Sequence, residues 1–488
     1  MSDGDKQDRG AGADLFHRVL REVPSVIAGL DIGSVRSLAA ASPAALNSVL
    51  RLRKGIVVIS HCAPLLEVLA REPADHLSPH GRALDAMFLV MASERAGEPL
   101  EIRGMRLRGN LDVAQDGRQS PPLPPDSAAA AHKWALGNLL ARPALLKNLR
   151  LFRATDFQHT AAYLDHIFNA PGSSFANLTT MSFMRCQLRG RESDLARVLR
   201  GTRLTDLNAA ECGLTQGGAC EILGALSGSL KHLNISHNAV GDAGAAALAS
   251  AMGSLPRLET LRAIKCEIRP AGMRTLAAAV RTHRSLARLV LTENTAGPAG
   301  MVALSDAVCA CKTMASLELD NVAIGNGGAE AVAKLLRESS LQLLSLRDNA
   351  LTDPGLQVIM HGLRANKSLE RLDLFANDAE DGTFRVLCDA IEVHPRLRHV
   401  DVSGPFNGLG GAAIERFARF SESLQRKPPL RTLMFSVDSN AVADRVNSIQ
   451  RLEVWSGAEL SVLVALPKEG FVIQRVPGND DVWEVVMP

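Results

Sequence analysis

The residues best able to do chemistry here are eight cysteines, at positions 62, 186, 212, 220, 266, 309, 311 and 388. A catalytic or metal-binding thiol needs close company, such as a CxxC pair, a zinc-spaced Cys/His set, or a general base. Neither a CxxC pair nor a zinc-spaced Cys/His set occurs. His232 and His237 flank one apolar stretch five residues apart, on opposite faces by strand parity, which argues against a shared metal. Nor does the chain contain GxSxG, HExxH, a P-loop or GxGxxG. No cysteine follows Cys388, so a cysteine-dependent C-terminal ligase domain is not expected. The expectation is a protein that is no enzyme, has no cofactor and no metal, and keeps its thiols reduced.

Several of those cysteines fall into a repeat instead. Leu230-Lys-His-Leu-Asn-Ile-Ser-His-Asn238-Ala-Val240 fits LxxLxLxxNxL, as does Leu341-Gln-Leu-Leu-Ser-Leu-Arg-Asp-Asn349-Ala-Leu351. The frame restarts at Leu178, Leu204, Leu230, Leu258, Leu286, Met314, Leu341, Leu369, Leu397 and Leu430. This is the leucine-rich-repeat signature. Its ninth position holds Cys186, Cys212, Asn238, Cys266, Asn294, Val322, Asn349 and Asn377. A spacing near 28 residues has room for a strand and a full helix in each repeat. Gly241–Met252 reads as one such helix, with Asp242 as its N-cap. Arg269–Val280 reads as another, with Pro270 near its start. Cys309 and Cys311 are placed together on a third.

The repeats resemble the ribonuclease-inhibitor class. That resemblance implies an α/β solenoid, a horseshoe with strands inside and helices outside, in which Asn or Cys at position nine ties side chain to backbone. It also explains the composition. Aromatics are only 4 % of 488 residues against 46 % apolar, because narrow rungs want aliphatic side chains.

The expected organisation is a polar N-terminus (1–14), a helical module (15–55), a helical and degenerate-repeat cap region (56–177), repeats (178–440) and a C-terminal cap (441–488). Within 56–177, Ile102, Met105, Leu107 and Asn110 fit one further repeat, and Leu146, Leu149 and Leu151 another. Between them, Pro121-Pro-Leu-Pro-Pro125 reads as a loop insertion. Alternating stretches at 451–454, 460–465, 471–476 and 482–486 suggest a few strands covering the open end. No apolar run is long enough for a membrane helix, and residues 1–14 have no apolar segment of the Sec-signal type.

Residues 15–50 depart from the frame. Val19, Leu20, Leu30 and Leu38, with Ser42 through Leu46, resemble an F-box. The Pro expected after the first Leu is replaced by Phe16, and no Trp follows Ser42-Pro43. Two readings stand: an F-box that docks a Skp-type ubiquitin-ligase subunit, or a helical cap for the first strand. An F-box-like start joined to such repeats resembles the GALA family of bacterial type III effectors. That family is named for a helix run matched by Gly244-Ala-Ala-Ala-Leu-Ala249. The resemblance implies an adaptor secreted into a host cell, one that holds a host protein on its repeats and brings it to an SCF ligase. Outside that family the chain would be cytoplasmic. The competing classes are a repeat scaffold or inhibitor, and a GTPase-activating-type regulator, neither linked to ubiquitin.

Partner residues are expected at the frame positions that leave the concave sheet. These are His232, Arg262, Lys265, Arg288, Glu318, Asp320, Arg347, Asp373, Phe375 and Asp401. The earlier ones are basic and the later ones acidic. That polarity suits a protein partner, whereas nucleic acid wants one continuous basic sign. A net charge of +2 agrees with no nucleic-acid role. Phe375 is the one large ring among these polar positions, as an interface anchor would be.

Overall fold

A computed structural model of the chain describes residues 149–155, 168–169, 175–403 and 416, and the strand backbones at 56–60, 104–108, 432–435, 452–457, 459–464, 472–475 and 483–486. The F-box-like residues Val19, Leu20, Leu30 and Leu38 lie outside the described residues. Two compact units emerge: Met1–Leu214 with Gly224–Leu230, and Thr215–Leu223 with Lys231–Pro488.

In the first unit, strands β1 (Ile56–Ser60), β2 (Gly104–Arg108), β3 (Leu151–Thr155), β4 (Thr180–Ser182) and β5 (Asp206–Asn208) pair in parallel, each with the next. Helix α1 (Glu192–Leu199) follows β4. Three parallel strands thus precede the first regular frame at Leu178. Four of the chain's 14 phenylalanines gather here. The Phe152 ring lies 5.9 Å from Phe175 and 5.7 Å from Phe183, and Phe168 lies 5.9 Å from Phe183. All four are buried, and their tilted and edge-on contacts form the core there.

The second unit begins with α2 (Gln216–Leu223) and then alternates strand and helix: β6 (His232–Asn234), α3 (Gly241–Ser254), β7 (Thr260–Arg262), α4 (Pro270–Thr282), β8 (Arg288–Val290) and α5 (Gly297–Ala310). The pattern continues through β9 (Ser316–Glu318), α6 (Ala329–Glu338), β10 (Leu343–Ser345), α7 (Asp353–Ala365), β11 (Arg371–Asp373), α8 (Asp381–Val393) and β12 (His399–Val402). β13 (Thr432–Phe435) completes a parallel run from β6. Of the four late strands, β14 (Leu452–Gly457) and β15 (Glu459–Val464) form a hairpin. β16 (Val472–Arg475) and β17 (Trp483–Val486) extend the sheet antiparallel from β13. Positions one, four and six of the frames from Leu178 to Leu397 are buried; Leu258, Leu261 and Ala263 are an example. Burying each such Leu contributes roughly 1.5–3 kcal/mol.

Turning from strand to helix leaves backbone groups that no strand can satisfy, and position nine supplies the partners. Asn294 Nδ2 donates to Ala263 O of the preceding repeat at 2.7 Å and to its own Leu291 O at 2.7 Å. Its Oδ1 accepts from Cys266 N at 3.0 Å and Ile268 N at 3.1 Å. Asn349 does the same with Leu319 O and Val322 N, and Asn377 with Leu346 O and Asn349 N. The cysteines give half of this. Cys186 Sγ donates to Ala154 O, Cys212 Sγ to Phe183 O and Cys266 Sγ to Ile235 O. Val322 can give none of it.

The helix starts are joined across repeats as well, and here Asp242 departs from expectation. It does not cap its own helix, whose N-cap is Val240. Asp242 Oδ1 instead accepts from Arg269 N at 2.8 Å and Gly272 N at 3.1 Å, capping α4 of the next repeat. Asp353 caps α8 in the same way through Glu380 N and Thr383 N, and Asn326 accepts from Thr352 N before α7. A side chain at Gly272, Gly355 or Gly382 would collide with Asp242, Asn326 or Asp353 respectively. Glycine in these helix starts is what lets the neighbouring cap reach the backbone. The C-terminal ends carry another ladder. His283 Nε2 meets Leu255 O at 3.0 Å, Cys311 Sγ donates to His283 O, Asn366 Nδ2 donates to Leu336 O, and His394 Nε2 meets Asn366 Oδ1 at 3.1 Å. Cys311 therefore sits just past α5, not on it as Cys309 does.

Two outcomes are expected. Asn349→Ala strands buried carbonyl and amide groups and should cost about 2–4 kcal/mol in urea unfolding. Val322→Asn adds the missing rung and should raise the urea midpoint; a lower midpoint would show that volume, not bonding, sets that position. His394 gives a pH test. Burial lowers its pKa from 6.5 to about 4, and its Nδ1 already accepts from Arg396 N and Leu397 N. The folded value is the lower one, so the unfolded chain binds more protons between these limits. The stability tied to the neutral ring is therefore complete above pH 6.5 and lost as pH falls toward 4. His394→Asn should flatten that slope.

Candidate partner-binding face

Strands of three residues leave two outward positions each, and parallel register lines them up in rows. The third-position row of the second unit runs His232, Thr260, Arg288, Ser316, Leu343, Arg371 and His399. The fifth-position row runs Asn234, Arg262, Val290, Glu318, Ser345, Asp373 and Asp401. His232, Arg262, Arg288, Glu318, Asp373 and Asp401 thus share one strand face. Asp320, Arg347 and Phe375 follow their strands at position seven. Lys265 is at position eight, in the turn, with a left-handed φ of 49°.

The basic and acidic ends differ in how they are satisfied. His232 and Lys265 are exposed and Arg262 is half-buried. Arg262 makes no ion pair among the described residues. Lys265 Nζ is 3.6 Å from Glu293. Between the ends, Arg288 reaches Glu318 at 2.6 Å. The acidic end is knitted into the backbone. Asp320 accepts from Ser345 Oγ and from Arg347 N at 3.0 Å, and burial raises its carboxyl's pKa against those bonds. Asp373 accepts from Phe375 N at 3.2 Å, and Asp401 from Ser403 N at 2.9 Å. Each of those two residues is only 7 % exposed, and they are register neighbours. Burial, then the nearby Asp401 charge, push Asp373 up to about 6, while Arg347, 3.6 Å away, opposes the shift. The Arg347 guanidinium lies 4.5 Å from the centre of the half-buried Phe375 ring, a cation–π contact.

The thiols offer little reactivity. Burial pushes Cys266 up to about 12 and raises Cys212 and Cys388 further, so all three stay protonated. Among the described residues the cysteines are free, no group of three or more His, Cys, Asp or Glu could hold a metal, and no helix is long and apolar enough to cross a membrane.

A leucine-rich-repeat family profile matches residues 228–249 and 339–360. No curated protein sequence matches the chain. Among solved structures, the Rad7–Elc1 complex of yeast is similar over 77 % of this chain and 90 % of that one, at 14 % identity and a TM-score of 0.43. Actin-binding site 2 of leiomodin-1 matches 36 % of this chain and 93 % of that one, at 16 % identity and a TM-score of 0.26. With its strand–helix repeats in register, the fold is an α/β leucine-rich-repeat one, which is a protein-interaction scaffold.

Asp373 is expected to titrate near pH 6 by carboxyl NMR. Asp401→Asn should lower that value and Arg347→Gln should raise it. Because the folded value exceeds the ordinary 3.8, the favourable contribution of protonated Asp373 is complete below 3.8 and lost as pH rises through about 6. Asp401→Asn should therefore reduce that loss at neutral pH. A titration midpoint unmoved by either substitution would contradict this account.

Proposed function

We propose that the chain is an adaptor: the open strand face of the second unit captures one protein, and the F-box-like segment at 15–55 couples it to a Skp-type subunit of a ubiquitin ligase. The capture half is supported by one observation, the rows of charged side chains that change sign from Arg262 to Asp401 on a single face. The ligase half is supported by sequence pattern, at Val19, Leu20, Leu30 and Leu38. The GALA-like helix run supports delivery into a host cell as a type III effector, where the captured protein would be a host one. No chemistry occurs on the chain in this reading. It works by proximity, raising the effective concentration of substrate lysines beside a ligase.

The test uses purified components. The full chain should retain a purified Skp-type subunit on a column, and a Leu20→Ala, Leu30→Ala double variant should lose it. No retention by the wild type removes the ligase link and leaves an interaction scaffold. For the capture half, Arg262→Glu with Lys265→Glu should weaken a purified partner by about tenfold with the far-UV spectrum unchanged.

A further inference from the structure

We infer that the strand face of the second unit takes an extended polypeptide segment lying across the strands, acidic where it crosses β6–β8 and basic where it crosses β10–β12. This rests on the reading that the face captures a protein, and adds the partner's chemistry and path.

Charge complementarity carries the inference. Positions three, five, seven and eight of the β6–β8 repeats hold Arg262, Lys265 and Arg288 against Glu293 alone, with Glu267 further round the turn. Those of β9–β12 hold Glu318, Asp320, Asp348, Asp373 and Asp401 against Arg347 and Arg371. At the seam the Arg288–Glu318 pair satisfies itself, which leaves the surplus charge to the two ends. At the basic end, Arg262 has no ion pair among the described residues, with Asn234 and Val290 beside it in register. At the acidic end, Asp373 and Asp401 are side by side and mostly buried, so each raises the cost of the other's charge. A partner's guanidinium or ammonium group over that pair would relieve the repulsion. The Arg347–Phe375 stack forms the adjoining wall.

Geometry sets the length. Crossing from β6 to β12 means six strand spacings, about 29 Å at about 4.8 Å each. An extended chain rising about 3.3 Å per residue covers that in about nine residues. The strands are three residues long, four in β12, so the strip is one chain wide.

The probe is a pair of labelled peptides of about twelve residues, long enough for that span. One has a Glu-rich half followed by an Arg-rich half, and the other has the same composition with the signs alternating. Anisotropy is read with the full chain. The block peptide should bind at least about tenfold more tightly, and the advantage should vanish in about 0.5 M NaCl. Arg262→Glu and Asp373→Asn, each checked by circular dichroism, should each reduce the block preference. Lys334→Glu, whose wild-type side chain pairs with Asp306 on the helix side, should leave it unchanged. Equal binding of the two peptides, or binding of neither, overturns the inference. If a protein partner is still captured and is weakened by Arg262→Glu with Lys265→Glu, the capture reading survives and only the segment's polarity and path are lost.

Discussion

Everything in the repeat units depends on one requirement: the backbone groups exposed where a strand turns toward its helix must find partners away from water. A buried orphan amide or carbonyl costs on the order of 1–3 kcal/mol, and the turn recurs in every repeat. Asparagine meets the need because its side chain donates and accepts at once. Asn294, Asn349 and Asn377 each bond forward into their own turn and backward into the preceding one. The same residue that folds one repeat therefore fixes its register against the last. Cysteine keeps the backward donation and loses the acceptor. Valine at 322 keeps only the volume.

Two further ladders apply the same logic at the helix ends. Asp242 and Asp353 cap helices of the repeats that follow them, and His283 and His394 bond to repeats that precede them. Each joint is made between repeats, so stability in these units is a nearest-neighbour property. That division frees the strand face. Positions one, four, six and nine hold the stack together, while positions three and five can carry whatever charge recognition requires.

The frame was legible in the sequence because aliphatic periodicity and a polar ninth position leave a repeating mark. The ladder roles of Cys186, Cys212 and Cys266 were implied by the resemblance that this mark supports, and the late strands after residue 440 by short alternating stretches of their own. The helix-end ladders were not legible. Asp242 sits where an ordinary N-cap would be sought, and only the stacked neighbour shows which helix it serves. His283, Cys311, Asn366 and His394 share a location but span three residue types, so no pattern links them until the backbone does. The aromatic cluster of Phe152, Phe168, Phe175 and Phe183 likewise lies before and at the edge of the first regular frame. For the face, sequence spacing named positions three and five, which the strand register does line up in rows. It did not show that strands of three residues end before Asp320, Arg347, Phe375 and Lys265, which therefore stand beside the strip.

The two ends of that strip differ in what a substitution means. Arg262 makes no ion pair among the described residues, so changing it alters the field a partner meets and little else. Asp373 and Asp401 hold the amides of Phe375 and Ser403 and are buried together. Their charge is at once a turn-forming device and a source of repulsion. Neutralising either one changes folding and recognition together, and in opposite directions: the turn loses a strong acceptor while the pair loses its conflict. An isosteric amide keeps a carbonyl acceptor for the turn and removes only the charge. Asparagine, already used at position five by Asn208 and Asn234 to bond the amide two residues on, shows that the turn does not require the charge. The carboxylates at 373 and 401 are therefore the costlier solution to a problem that asparagine solves elsewhere in the chain. That excess cost is the physical mark separating this end of the face from the rest of the stack.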